Sequence, residues 1–256
     1  MNGAHDNLLG SLDSGFNFPY NLYGSDAGYS ILIEGPDTAF NTINSRRFGV
    51  GAPFGPGSTT LIPAGLGAIA IRNRSNNNTV GHVREDLWNS FFAWKNAALL
   101  IDDSESNLVV GNLMTGVNTV PGVVGVHLRN GARANTIGQP GAAIQIFSLF
   151  QFSLRFGNVI SICSDTGILV EDSGGTLRPD GLPEKSNRIV NNQLKSNMEG
   201  LRIGPRSWGN VIGDCFRAMA INSSETCAPR STSRETRSRC RNLETGSKTT
   251  RLAGVP

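Results

Sequence analysis

The chain has 256 residues, of which 38% are hydrophobic and 17% are charged, and its formal net charge is +3. This length is enough for one or two domains with a thin continuous core. No segment approaches the roughly 20 consecutive apolar residues of a membrane span. Met1 is not followed by the charged region and apolar core of a signal peptide. Composition therefore gives no reason to expect a membrane-spanning helix.

One motif recurs along the chain: alternating apolar residues that often follow a glycine, then a short polar stretch, then Asn-x-Ile/Val, usually followed by Gly. Asn7–Gly10 has the form of the end of a coil, and Tyr29–Glu34 begins a weak copy. The later copies are, in chain order, Gly67–Gly81, Ala98–Gly111, Gly125–Gly138, a degenerate one at Ala143–Ile160, Gly167–Val190 and Gly200–Gly213. Because the chain begins in mid-coil without an N-terminal cap, we expect it to be a piece of a longer protein.

The motif predicts stacked β-strands. Each alternating run is too short for a helix, and its Gly, Asn and Ser neighbours favour turns. Repeated strands that all run in one direction need crossovers, and a second β-rich segment supplies one in each copy. We therefore predict an all-β fold, a right-handed parallel β-helix of about seven to eight coils. It would occupy residues 1–213, and an irregular basic tail would occupy residues 214–256.

The recurring asparagines predict a ladder along the stack. Asn tolerates the left-handed backbone of a tight corner, and its amide can bond to the Asn of the next coil. Ordinary turn asparagines without mutual bonds are the alternative. The candidates are Asn41, Asn78, Asn107, Asn135, Asn158, Asn187 and Asn210.

Strand alternation also predicts an outward-facing column of side chains. If Ile69 and Ile71 point inward, then Ala70 and Arg72 point outward. The same phase exposes Leu100, His127, Gln145, Leu169 and Arg202. It gives one further column that reads Glu34, Arg72, Asp102, Arg129, Phe147 and Glu171. Alternating charges on adjacent strands pair favourably, so a solubilising charge ladder is the simpler interpretation.

An enzymatic interpretation uses the same face. Polysaccharide lyases and epimerases on β-helices need a base and a group that neutralises the substrate carboxylate, often Ca²⁺ on clustered acids. His127 would be the base, and Arg129 or Arg202 the charge clamp. The acids that could hold a cation are Asp102, Asp103 and Glu171. These acids belong to separate strands, and no facing pair of carboxylates suggests a glycoside hydrolase.

Two aromatic runs and one insertion interrupt the motif. Alternation within Leu87–Trp94 and Phe147–Phe152 favours core rungs, with about half of the side chains pointing inward, over an exposed sugar-stacking surface. Ser173–Pro183 is predicted to be a surface insertion, and loops of this kind often carry binding residues.

The segment from Asp214 onward differs in composition, since it has few aliphatic residues and is rich in Ser, Thr and Arg. We expect Cys215 to about Ser223 to fold over the end of the solenoid and the rest to stay disordered. A nucleic-acid partner is not expected, because Phe216 is the single aromatic residue among the basic ones. Cys215, Cys227 and Cys240 lack the spacing of a zinc site, although one disulfide would fit. Cys163 lies in a strand-like run and is expected in the core.

The stretches Gly125–Gly138, Gly157–Ser161 and Gly200–Gly213 resemble the right-handed parallel β-helix repeat of the pectin-lyase-like superfamily, found in large bacterial surface and secreted proteins. The resemblance extends over about residues 5–213. It implies an extracellular or cell-envelope location and a carbohydrate-related surface role, but it carries no catalytic motif to any position. We therefore expect a non-catalytic scaffold with a glycan-binding face and no cofactor. A lyase or epimerase on uronic-acid polymers is the alternative, and Ca²⁺ would be its cofactor.

Overall fold

The computed structural model of the protein describes residues 3–10, 22–23, 28–49, 65–84, 87–116, 122–139, 145–146, 152–153, 157–177 and 183–213. Within these ranges the chain forms 23 strands, numbered here along the sequence, and no α-helix. No helix in these ranges is long and apolar enough to cross a membrane.

The main sheet has six strands, and every neighbouring pair is parallel. Its order follows the chain: β3 (Tyr29–Glu34), β6 (Gly67–Arg72), β9 (Ala97–Asp102), β12 (Gly122–Arg129), β17 (Cys163–Val170) and β22 (Glu199–Ile203).

Two further parallel sheets form the other two sides of the solenoid. The second sheet has seven strands: β1 (Leu8–Leu9), β4 (Thr42–Ile43), β7 (Thr79–Gly81), β10 (Leu108–Val110), β13 (Thr136–Gly138), β20 (Arg188–Val190) and β23 (Val211–Ile212). The third sheet has six: β2 (Leu22–Tyr23), β5 (Arg47–Phe48), β8 (Asn89–Phe92), β11 (Asn112–Thr115), β16 (Asn158–Ser161) and β21 (Gln193–Lys195).

The chain visits the main, second and third sheets in turn, as β9, β10 and β11 illustrate. Each turn of this path is one coil, and the second sheet has one strand from each of seven successive levels. This is a parallel β-helix, so the predicted fold is confirmed, and the described residues contain seven strands of the second sheet, one for each coil. Parallel crossovers wind right-handed in nearly all known proteins.

The core is a set of columns that run along the stack. In the main sheet, Ile69, Leu99 and Val126 face one another through the strand register and are fully buried. In the third sheet, the rings of Phe48 and Phe91 stack with centroids 4.8 Å apart. Each coil therefore buries its apolar side chains against the next coil, as expected for a repeat that is not stable by itself.

The degenerate copy at Ala143–Ile160 is not a coil of its own. β14 (Gln145–Ile146) pairs antiparallel with β15 (Phe152–Ser153), while β12 pairs directly with β17. The prediction that Phe147 stands in the outer column between Arg129 and Glu171 is therefore wrong, and Phe147 itself lies outside the described residues. The second insertion contains another hairpin, β18 (Thr176–Leu177) with β19 (Pro183–Glu184), as expected for a surface excursion.

The structure contains two asparagine ladders where one was predicted. The first joins Asn7, Asn41, Asn78, Asn107, Asn135, Asn187 and Asn210 through side-chain amides at 2.9–3.1 Å. The second joins Asn89, Asn112, Asn158 and Asn192 at 2.8–3.0 Å. Asn158 therefore belongs to a different corner from the one predicted, because it begins a strand of the third sheet and not of the second.

The aromatic run Leu87–Trp94 contributes to the interior, as predicted. Leu87, Phe91 and Trp94 are buried, and Trp94 Nε1 donates to Val124 O at 2.7 Å. Cys163 is also buried, and burial raises the pKa of its thiol to about 12. The run Phe147–Gln151 and the tail from Asp214 lie outside the described residues.

Candidate functional site

The outer face of the main sheet carries a ladder of charges of alternating sign. The strand register places Glu34 beside Arg72, Arg72 beside Asp102, and Asp102 beside Arg129. Arg72 Nε lies 3.1 Å from Glu34 Oε1, and Arg129 donates to Asp102 Oδ2 from Nε and Nη2 at 2.9 and 2.7 Å. These contacts form because successive strands bring alternate side chains to the same height on one face.

His127 and Glu171 form the next pair on this face. His127 Nε2 lies 3.1 Å from Glu171 Oε2, and the His127 residue is only 8% exposed. Burial lowers the pKa of His127, although the neighbouring Glu171 carboxylate opposes this shift. An ionised carboxylate can only accept, so Nε2 of His127 is the donor in this contact. His127 and Arg129 both lie on β12, and Glu171 directly follows the neighbouring strand β17.

Several outward side chains are not exposed, which corrects the sequence-based expectation. Leu100, His127 and Leu169 are all buried, although alternation does place them on the outer face. Leu169 packs in a small separate cluster with Ala97 and Val124. Strand alternation fixes the side to which a residue points, whereas its exposure depends on what packs against that side.

Arg202 does not join the pair of His127 and Glu171. The register places Arg202 opposite Leu169, which in turn lies opposite His127, so Arg202 is two strands away from His127. Its guanidinium donates to Asp165 and contacts Glu199 at 3.5 Å. The Arg202 side chain lies on the same face, but its guanidinium group is held by Asp165 and Glu199 and not by the pair of His127 and Glu171.

The acids that were candidates for Ca²⁺ do not form a cation site. Asp102 accepts hydrogen bonds from Arg129 and Asn130, and Glu171 contacts His127. Asp103 lies 3.9 Å from Arg74. In the described ranges, no group of three or more His, Cys, Asp or Glu side chains could hold a metal ion. The described donor set therefore does not fit calcium.

A cleft of about 350 Å³ opens on the same face, next to the charge ladder. Its apolar surface comes from Leu32, Leu66 and Leu100, and the two guanidinium groups at its side belong to Arg72 and Arg129. The backbone frames one wall: Leu66 N–H donates to Gly28 O and Asn96 N–H donates to Leu66 O, each at 2.9 Å. Apolar surface combined with a few directed polar groups is the usual character of a ligand site.

Tyr29 also lines the cleft, and the sequence pattern did not single it out as a site residue. Its hydroxyl is buried and has no hydrogen-bond partner among the described residues. Burial raises the pKa of Tyr29 to about 12; the nearby Arg129 lowers this pKa by a smaller amount, and Asp102 raises it. The ring has space because Gly67 is its neighbour in the register, where an added Cβ would come within 2.5 Å of Tyr29 Cε1. The alignment of a tyrosine with a glycine on the neighbouring strand would have indicated the cleft. This alignment can be recognised only when the register of the two strands is known.

The comparisons with known proteins add no family to this geometry. No protein-family model, curated protein or solved structure matches the chain. The outer face of the main sheet combines a cleft that contains an aromatic ring with acidic and basic side chains that are paired with one another.

Proposed function

We propose that the chain is a non-catalytic parallel β-helix segment, of the pectin-lyase-like type, in a secreted or cell-envelope protein. It provides a rigid scaffold, and the cleft beside Tyr29 binds a glycan. The observation that carries this proposal is the cleft itself, which joins an aromatic ring and leucine side chains to two arginines. Sugar rings present an apolar face and a polar rim, and such a mixed surface suits both.

The pairing of the charged groups supports binding over catalysis. Asp102 is held by Arg129, Glu34 by Arg72, and Glu171 contacts His127. A general base must reach the proton that it removes, and the Nε2 atom of the buried His127 is already in contact with the Glu171 carboxylate. The two arginines retain N–H groups that can donate to hydroxyl or carboxylate oxygens of a sugar.

Calorimetric titration with soluble neutral and uronic-acid polysaccharides tests the proposal. Leu66→Arg places a long charged side chain at the rim of the cleft, at a residue that is 45% exposed, so the fold should tolerate it. We expect this variant to lose about tenfold or more in affinity, equivalent to about 1.4 kcal/mol. Val83→Arg is the matched control, because Val83 is equally exposed and does not line the cleft. Binding that is unaffected by Leu66→Arg would remove the cleft from the proposal.

The contact of His127 with Glu171, beside Arg129, keeps a lyase or epimerase as the second candidate. Incubation with uronic-acid polymers, followed by ultraviolet absorbance of unsaturated products and by NMR of the epimer composition, would detect either reaction. We expect no turnover. Turnover that disappears in His127→Ala but persists in Val83→Arg would reverse the preference between the two functions.

A further inference from the structure

Each arginine that lines the cleft is already paired with an acid. Arg72 Nε lies 3.1 Å from Glu34 Oε1, and Arg72 Nη2 donates to Glu34 Oε2 at 3.3 Å. Arg129 donates from Nε and Nη2 to Asp102 Oδ2 at 2.9 and 2.7 Å. The formal charges of these pairs cancel, so the charged side of the cleft is neutral as a whole although guanidinium groups line it.

The acids of both pairs are also fixed by neighbouring asparagines. Asn73 directly follows β6 and donates from Nδ2 to Glu34 Oε1. Asn130 directly follows β12 and donates from Nδ2 to Asp102 Oδ1 at 2.7 Å. The Asp102 side chain is only 15% exposed. A ligand that displaced either acid would break its contacts with an arginine and an asparagine together, so we expect both acids to stay in place when a ligand enters.

A negative charge in the cleft would therefore meet attraction and repulsion together. A carboxylate that approached Arg129 would also approach Asp102, and like charges repel as strongly as opposite charges attract at the same distance. It would in addition lose part of its hydration. A hydroxyl group avoids this penalty, because it can donate to the acid and accept from the arginine. A guanidinium has five N–H groups, more than one carboxylate engages.

The rest of the cleft suits an uncharged ring. Apart from the arginines, the described residues that line the cleft carry no formal charge. Leu32 and Leu66 are 48% and 45% exposed, and Tyr29 and Leu100 line the cleft with them. An apolar surface of this kind fits the apolar face of a sugar ring, and the ion pairs fit its hydroxyl groups.

We propose that the cleft selects neutral sugars over uronic acids, and that Glu34 and Asp102 set this specificity by neutralising the adjacent arginines. The acids accept hydrogen bonds from sugar hydroxyls and also make an anionic ligand costly to bind, and natural binding sites use both means to obtain specificity. This inference rests on the proposed glycan-binding function and adds to it the class of sugar.

Calorimetric titration with matched ligands tests the preference. Soluble glucan, galactan and mannan oligomers are each compared with the counterpart in which the primary alcohols are oxidised to carboxylates. The members of a pair share their ring and linkage, so a difference in affinity reports the cost of the carboxylate. We expect the neutral member to bind about tenfold or more tightly. Its affinity should change little between low and high salt, because no net charge is brought to the cleft.

Glu34→Gln tests the role of the acids, because it removes one charge and keeps the length of the side chain. The Glu34 side chain is 36% exposed, so the fold should tolerate the change. We expect the affinity for the oxidised oligomers to rise about fivefold or more and to fall again at high salt, while the affinity for the neutral oligomers stays within about twofold. Asp102→Asn should shift the preference in the same direction, since it releases Arg129.

Glu199→Gln is the matched control on the same sheet. Glu199 is an acid that contacts an arginine, its side chain is 49% exposed, and it does not line the cleft. This variant removes the same formal charge from the molecule and should leave the preference unchanged. An equal gain for the oxidised oligomers in Glu199→Gln and Glu34→Gln would show an effect of overall charge and would contradict a role of Glu34 in the cleft.

The remaining outcomes separate this inference from the function on which it rests. Oxidised oligomers that bind the unmodified chain as tightly as the neutral ones would overturn the specificity and leave glycan binding intact. The same conclusion would follow from a preference that is unchanged in both Glu34→Gln and Asp102→Asn. Failure of every oligomer to bind would overturn the glycan-binding function, and the specificity with it.

Discussion

Individual asparagines stabilise this fold by satisfying buried backbone groups. Asn107 is almost fully buried, accepts from the amide and side chain of Asn78 at 2.9 and 3.1 Å, and donates to three oxygens. A buried donor that loses its acceptor costs free energy, because neither water nor protein replaces the bond. The ladder is therefore a structural requirement of the corner.

Replacing Asn107 with alanine should lower the free energy of unfolding by about 2 kcal/mol or more, since it leaves several buried groups unpaired. Urea unfolding followed by circular dichroism measures the effect. The matched control is Asn7→Ala in the same ladder, where the residue is exposed and the change should be within about 0.5 kcal/mol. Equal losses in the two variants would show that burial of the ladder does not determine its contribution.

The lowered pKa of His127 predicts a pH dependence of stability. As the pH falls below about 6.5, the unfolded chain takes up a proton that the folded chain binds only at lower pH, so stability is lost on acidification. The His127→Leu variant should lose this contribution and should remain as stable at pH 7, because Leu100 and Leu169 flank the site. Thermal unfolding of both proteins between pH 5 and 7.5, roughly the range in which histidine titrates, measures it. An identical pH dependence in both proteins would contradict the assignment.

For single residues, the sequence predicted which side chains share a face of the sheet, but it did not predict which of them are buried or line a cleft. The ion pairs of Arg72 and Arg129 with neighbouring acids follow from alternation and register. The burial of His127 and the cleft beside Tyr29 depend on packing across several coils, and the local sequence pattern does not specify this packing.

The strands of the main sheet pack closely against the third sheet through a column of small residues. Register aligns Gly125 with Ala98 on one side and with Gly167 on the other, and an added Cβ at Gly125 would clash with Ile160 Cγ2 and lie 2.5 Å from Gly167 O. The recurring glycine of the motif therefore permits close approach of two sheets at this strand.

Gly125→Ala should therefore destabilise the protein by about 1–3 kcal/mol, because the added methyl group forces the strands apart. Gly200→Ala is the matched control in the same column, where the nearest atoms to an added Cβ are Leu194 Cδ1 at 3.6 Å and Leu194 Cβ at 3.8 Å. It should be neutral or slightly stabilising, since alanine restricts the unfolded chain. Denaturant unfolding of the two variants side by side measures the difference, and a more harmful Gly200→Ala would contradict this packing argument.

The elements themselves were predictable wherever the motif was regular. The prediction failed at β14 (Gln145–Ile146), which belongs to an alternating run that resembles a coil but pairs with the nearby β15. It also failed at Asn158, which was assigned to the same corner as the other asparagines but begins a strand of the third sheet. Both errors have one cause. A local sequence pattern specifies that a strand forms, whereas the strand with which it pairs depends on the length of the connecting segments.

For the whole molecule, stability should vary along the rod. Each coil contacts only its neighbours, so the middle coils gain two interfaces and the terminal coils one. Hydrogen exchange should therefore be slowest in β9 and β12, and fastest in β1 and β23, whose side chains are more exposed. Mass spectrometry of exchange in peptic fragments measures this gradient. Uniform protection would indicate that the solenoid opens as one cooperative unit.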